Sequence, residues 1–300
     1  MKILITGATG LVGKSISELC QKRGIQFHYL TTRKNKIKDS ENCRGFYWNP
    51  TKGEIDITCF ERVDTIINLA GSSIFKKWNK KNKTEILNSR VQSLQLLYDS
   101  LKSTSNNVNH IISASAIGIY LHSYKKIYTE EDNNVSDTFL GSVIDEWESA
   151  ADKFSELNVK VTKLRTGMVL DRKEGAFPKL KNAAKNYMAA SFGAGNQWQS
   201  WIHIYDLSRL YLFVAEKELT GIYNAVAPNP VTNQTLNKKL AKELEKQSII
   251  NKIPEFAVKL IFGERSILLL ESQLVSSKKI EENGFRFKYK KVRKAIKDLI

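Results

Sequence analysis

Three glycines spaced three residues apart, in the run GATGLVG at residues 7–13, are the residues here with the plainest chemical purpose. They follow the apolar run KILIT and open the helical pattern LVGKSISELCQKRG. Gly7 allows the tight turn out of a strand. Gly10 lets backbone approach a pyrophosphate with no Cβ in the way, and Gly13 lets the helix pack closely on the strand. The backbone N–H groups of Thr9, Leu11 and Val12 lie where the helix opens, and its dipole adds partial positive charge there. The chemistry predicted is dinucleotide binding.

The end of the second β-type run chooses the dinucleotide. It reads HYLTTRKNK (28–36) and holds no acid that could bind a ribose 2′-hydroxyl, as an NAD site usually requires. Arg33 stands about where that acid would be, with Lys34 beside it. A guanidinium there suits a 2′-phosphate through charge-assisted hydrogen bonds. NADP(H) is therefore expected over NAD(H).

These residues need a scaffold that brings loop ends together. Apolar strand-like runs at 2–7, 25–33, 63–71, 108–116 and 159–170 alternate with helical patterns at 11–24, about 84–103 and 139–157. Such alternation implies βαβ crossovers and a parallel sheet covered on both faces. The expected fold is α/β, a Rossmann-type doubly wound parallel sheet with a small C-terminal lobe. Residues 1–228 would form the dinucleotide-binding domain, including segments that contribute to the lobe, and 229–300 a C-terminal region. Gly24 is expected just past the end of the first helix.

Composition narrows the partners. With 47 Lys and Arg against 31 Asp and Glu, the net charge is +16. No nucleic-acid-binding signature accompanies it, so a solvated basic surface is expected, including the run KYKKVRKAIK (288–297), and nucleic acid is not the expected partner. No apolar run is long enough for a transmembrane helix, and no membrane partner is expected. MKILITGATG reads as a buried strand rather than a signal peptide. Cys20, Cys43 and Cys59 lack CxxC spacing and read as reduced thiols, with Cys20 in the core and a cytoplasmic location. No metal site is expected. The substrate is a small molecule that the sequence does not identify, and an oligomer is left open.

The same residues resemble the extended short-chain dehydrogenase/reductase superfamily, the home of nucleotide-sugar epimerases. NLAG (68–71), SASAIGIY (113–120) and TEED (129–132) match its motifs. The runs LNSR (87–90), VIDEWESAA (143–151), LRTGMVL (164–170), QSWIHIYDL (199–207), YNAVAPNPVTN (223–233) and ESQLVSSKKIEENGFRF (271–287) are similar to a subgroup known as epimerase family proteins. The resemblance covers essentially the whole chain. It implies a Rossmann-type domain with a small lobe, an NAD(P) cofactor, and backbone at Leu69, Ala70 and Gly71 that skirts the adenine and ribose side.

The resemblance also exposes a departure. Hydride enzymes of the superfamily use Tyr-x-x-x-Lys, which lies on one helical face so that lysine lowers the tyrosine pKa. Here the corresponding positions are Phe139 and Val143, which pack but do no acid–base work. Tyr98 and Lys102 have the spacing but lie on the wrong helix. Ser115, near the superfamily serine, and Tyr120 are the substitute catalytic candidates, with Ser113 and Tyr124 behind them. Arg90 is expected to meet the cofactor or a substrate phosphate, whereas Arg165 either faces the pocket or bonds carbonyls. His203 is expected to be buried and structural, and Asp206 to cap the following helix. Glu146 and Glu148 are open between solvent and a polar role replacing the lysine. Trp78, Trp147, Trp198 and Trp201 are core residues first, pocket walls second. Two functions follow: an atypical NADP(H)-dependent oxidoreductase or isomerase, or a non-catalytic NADP(H)-binding sensor or interaction module.

Overall fold

The structure, a computed structural model, describes residues 1–246 and 251–300. The chain forms two compact units, each assembled from three segments.

The first unit comprises Met1–Ser115, Ser142–Arg165 and Ser208–Tyr223. Its sheet-forming chain runs β1 (Ile3–Thr6), α1 (Leu11–Lys22), β2 (Phe27–Thr31), β3 (Cys43–Asn49), β4 (Glu54–Ile55), β5 (Thr65–Asn68), α2 (Lys80–Ser103), β6 (His110–Ala116), α3 (Phe139–Asp152), β7 (Lys160–Thr166), α4 (Ile204–Glu216) and β8 (Gly221–Ala225). The strands lie in the order β8-β7-β6-β5-β1-β2-β3-β4. From β6 through β3 the neighbours are parallel, and β4 returns antiparallel on β3. The order reverses between β1 and β5, the switch point where open α/β sheets bind ligands beyond their carboxyl ends.

Local sequence explains these elements. In β1, β2 and β5 every residue is buried, as central strands covered on both faces require. The helix α1 buries Gly13, Ile16, Leu19 and Cys20 along one side. It ends where expected: Gly24 takes φ +66°, and Ile25 N–H donates to the Cys20 carbonyl. The helix α2 begins at Lys80, earlier than its apolar pattern, because the Asn79 side chain accepts from Asn82 N–H. The long run at 159–170 breaks at Gly167, where a Cβ would come within 2.2 Å of the Ser200 carbonyl oxygen. Leu4, Leu30, Phe46, Trp48, Ile66, Leu94, Ile111 and Phe154 belong to one core cluster. Full burial of each is worth roughly 1.5–3 kcal/mol.

The second unit comprises Ala116–Gly141, Thr166–Leu207 and Asn224–Ile300. It holds two-stranded sheets and short helices around Leu170, Phe177, Trp201, Leu236, Leu240, Tyr289 and Ile296. The basic run near the end becomes the helix Val292–Leu299. Val292, Ala295, Ile296 and Leu299 are buried, while Arg293 and Lys297 pair with Glu243. Among the described residues no helix is long and apolar enough to cross a membrane, and no cluster of His, Cys, Asp and Glu could hold a metal ion.

Candidate functional site

The loop between β1 and α1 sorts its three glycines by physical role. Gly7 has φ +66°, and a Cβ on it would lie 2.7 Å from the Leu69 carbonyl oxygen. A Cβ on Gly13 would lie 2.3 Å from the Gly7 oxygen. Both are therefore required by the protein's own packing. Gly10 differs: its Cβ would meet only the Gly7 oxygen at 3.3 Å, and the residue is exposed. Gly10 is also the N-cap of α1, with no side-chain cap and no acid in the first turn. Around Leu11, Val12 and Gly13 the helix start thus offers donors and partial positive charge at an open surface.

A second loop is bolted to the first. The Thr6 hydroxyl donates to Asn68 Oδ1 at 2.7 Å and accepts from the N–H groups of Leu69 and Ala70 at 3.0 and 3.1 Å. The polypeptide at Leu69, Ala70 and Gly71 is thereby fixed beside the glycine turn. Sequence reasoning missed Thr6 and Asn68. Their types are ordinary in strands, and their role appears only once β1 and β5 are paired in register, Thr6 opposite Asn68.

Arg33 follows β2 and is exposed, and among the described residues its guanidinium has no carboxylate partner. The loop that carries it is anchored by Tyr29. Its hydroxyl donates to the Lys36 carbonyl and accepts from Lys38 N–H, each at 2.7 Å. Gly45 leaves the room for that ring, since a Cβ there would sit 2.6 Å from it. Lys34 Nζ lies 5.1 Å from the centre of the Tyr47 ring.

Arg90 projects from α2 toward the Leu69–Gly71 loop. Its Nη1 donates to the carbonyls of Ile86 and Ser72, at 2.8 and 3.2 Å. Its guanidinium lies 4.9 Å from the Trp147 ring centre, and a Cβ on Gly71 would come within 3.1 Å of it. Burial pushes its pKa down to about 10. Among the described residues no carboxylate neutralises it. A partly buried cation with only dipolar partners suits an anionic ligand.

The helix α3 carries Phe139 and Val143, four residues apart. Val143 is buried. One turn further, Glu148 receives two parallel bonds from Arg165, Nε to Oε1 and Nη2 to Oε2, both 2.9 Å. The Ser115 hydroxyl donates to the same Oε1, and Lys163 Nζ lies 3.8 Å from Oε2. Glu146 is exposed. The question left open for this pair thus resolves: Glu148 binds cations and a serine inside the first unit, and Arg165 meets a carboxylate. Ser115 is 3% exposed, and Ser113 donates to the Ala114 carbonyl.

In the second unit Tyr120 is fully buried. Its hydroxyl donates to Asn224 Oδ1 at 2.8 Å, and its ring stacks on Tyr128. Glu130 holds Asn224 by its backbone N–H. The Tyr98 hydroxyl donates to Glu156 on the surface. His203 is buried and stacks on Tyr289, as a structural residue should. Asp206 corrects the expectation of a cap. The helix α4 begins at Ile204, so Asp206 lies inside its first turn. Its carboxylate accepts from the N–H groups of Lys288 and Tyr289 instead. Trp147 and Trp201 are core residues, while Trp78 and Trp198 are half-buried.

Sheet order, switch point and glycine loop together define a Rossmann-type α/β protein of the kind that binds NAD(P). The NAD dependent epimerase/dehydratase family matches residues 3–138, and a domain of unknown function, DUF1731, matches residues 253–299. An epimerase family protein of Staphylococcus aureus (strain N315) is 34% identical over 298 residues, covering 99% of this chain and 98% of its own. One from Staphylococcus saprophyticus is 31% identical over the same length. The chain belongs to the epimerase family. Human epimerase family protein SDR39U1 (isoform 2), whose crystal structure contains NADPH, shares the fold at a TM-score of 0.87 and 24% identity, covering 100% of this chain and 99% of that one.

Proposed function

We propose that this protein binds NADP(H) through the β1–α1 loop and acts as an atypical oxidoreductase or isomerase on a small molecule. The observation that carries the reading is Gly10. A Cβ there would meet just one atom, the Gly7 oxygen, in a tight 3.3 Å contact rather than the collisions at Gly7 and Gly13, and the residue is glycine at an uncapped helix start. A pyrophosphate passing over Gly10, against the donors of Leu11, Val12 and Gly13, accounts for both facts. Thr9, Leu69, Ala70 and Gly71 would line the cofactor path, Arg33 would hold the 2′-phosphate, and Arg90 would face an anionic group of the cofactor. The nicotinamide, when bound, supplies hydride exchange. That the human relative crystallised with NADPH supports the cofactor choice.

For proton transfer the residues support less. Phe139 and Val143 hold no titratable group. The candidates Ser115 and Tyr120 already give their hydroxyl protons to Glu148 and Asn224, inside buried networks. This favours a second reading, a non-catalytic NADP(H)-binding module. Titration of the purified protein with NADPH, followed by nicotinamide fluorescence, tests what the readings share: saturable binding is expected, and its absence would contradict both. Turnover of a small molecule separates them: an oxidoreductase changes the amount of reduced nicotinamide, an isomerase converts the substrate with no net change in it, and a binding module does neither.

A further inference from the structure

The second unit contains a cavity of about 410 Å³, large enough for a small organic ligand. Its walls include Phe192, Leu270 and Tyr124, and its polar lining includes Glu271, Gln197 and His122.

Three features of that lining point the same way. In a chain with 16 more cations than acids, the half-buried Glu271 carboxylate has no cation within reach among the described residues. Its one hydrogen bond comes from Gln273 Nε2, at 3.1 Å to Oε2. Gln197 is 2% exposed, and its Nε2 donates to the carbonyls of Phe192 and Leu269 at 3.1 and 2.8 Å. Two carbonyl partners fix which end is nitrogen, so the side-chain oxygen remains as an acceptor. His122 Nδ1 accepts from Ser272 N–H at 3.1 Å, so the neutral ring carries its proton on Nε2.

These groups are held rigidly. Ser123 N–H donates to the Ser272 carbonyl, and the Ser272 hydroxyl donates back to the Ser123 carbonyl, both at 2.8 Å. Gln273 Nε2 also donates to the Tyr120 carbonyl. The segments carrying His122 and Glu271 are therefore strapped together before any ligand arrives.

We propose that this cavity binds a primary organic amine. Its ammonium head would donate to the Glu271 carboxylate and the Gln197 side-chain oxygen, with an apolar body against Phe192 and Leu270. The proposal does not rest on the cofactor assignment.

The charges around Glu271 set the pH dependence. Burial pushes its carboxyl up to about 7, and the nearby Asp137 carboxylate adds to that while Gln273 opposes it. Glu255 and Lys259, also on the wall, form their own ion pair at 2.7 Å. Since only ionised Glu271 holds the ammonium, apparent affinity should be about tenfold weaker near pH 6 than near pH 8.

Calorimetric titration of the full chain with 2-phenylethylamine, and in parallel with 2-phenylethanol, tests this. The amine should bind near pH 8, weaken about tenfold near pH 6, and outcompete the alcohol. Glu271→Gln should abolish amine binding while NADPH binding and thermal melting report an intact fold. Four results would each overturn the proposal: no saturable amine binding near pH 8, equal binding of the alcohol, a pH-independent affinity, or undiminished binding by Glu271→Gln. The first three need no variant.

Discussion

Glu148 and Arg165 face each other through two parallel hydrogen bonds, both 2.9 Å, with side chains only 7% and 6% exposed. This pair, with Ser115 and Lys163 attached, fixes α3 to the ends of β6 and β7. It is a buried fork-to-fork contact on the helix that also carries Phe139 and Val143. Losing one member strands a charge out of water. Glu148→Ala should therefore lower stability by about 3–5 kcal/mol. Denaturant unfolding of the variant beside the parent measures it, and a change below about 1 kcal/mol would mean that the pair is solvated.

The glycines separate folding from binding. Gly10→Val should abolish NADPH binding with little change in melting temperature, because the apo packing tolerates a Cβ there. Gly13→Ala should instead lower the melting temperature by several degrees, since its Cβ would collide with backbone at 2.3 Å. Scanning calorimetry and a cofactor titration on both variants check the contrast. Equal melting temperatures would show that Gly13 is not a packing position.

Three of the four histidines make the fold acid-sensitive. Burial lowers the pKa of His28, His110 and His203 below 6.5, that of His110 to about 4. His110 Nε2 meets the Thr162 hydroxyl, which itself donates to the Leu219 carbonyl, so the neutral Nε2–H tautomer is held. With folded values lowered, the unfolded chain binds protons first. Stability is present above about pH 6.5 and falls as pH drops toward the folded values, by up to about 3 kcal/mol from His110. Glu271 acts oppositely: its folded value of about 7, against 4.5 unfolded, favours the folded state as pH falls through that window. Unfolding free energies near pH 7 and pH 5 should show a clear loss on acidification in Glu271→Gln, where the opposing carboxyl is gone, and a smaller change in the parent. A pH-independent stability of that variant would refute the buried neutral histidines.

Restoring the dyad should not restore a dehydrogenase. Phe139→Tyr with Val143→Lys places an ammonium at a position only 3% exposed, at a cost in stability. The Ser115 hydroxyl remains turned to Glu148. No carbonyl-dependent NADPH oxidation is expected from the double variant. Its appearance there, and not in the parent, would show that the dyad alone separates this protein from catalytic relatives.

Much of the β1–α1 turn was legible because it is local. Gly7 and Gly13 carry their packing roles in spacing, and strand–helix alternation fixes the sheet. The aromatic strand β3 escaped notice because CRGFYWN near a sheet edge has mixed burial rather than a continuous apolar run. The pairs that decide the rest are distant in sequence. Thr6 meets Asn68, Ser115 meets Glu148, and Ser272 meets His122, across 62, 33 and 150 residues. No spacing rule links such positions. Asp206 misled for a related reason: an acid before a helix usually caps it, and here distant N–H groups at 288 and 289 compete for the carboxylate.

In the function we propose, β2 ends in a 2′-phosphate site made by Arg33. Parallel equilibrium titrations with NADPH and NADH, on the parent and on Arg33→Ala, test it most directly. The parent should prefer NADPH by about tenfold or more, and the variant should bind the two about equally, the loss falling on NADPH. Equal affinities in the parent, or an unchanged preference in Arg33→Ala, would contradict the account.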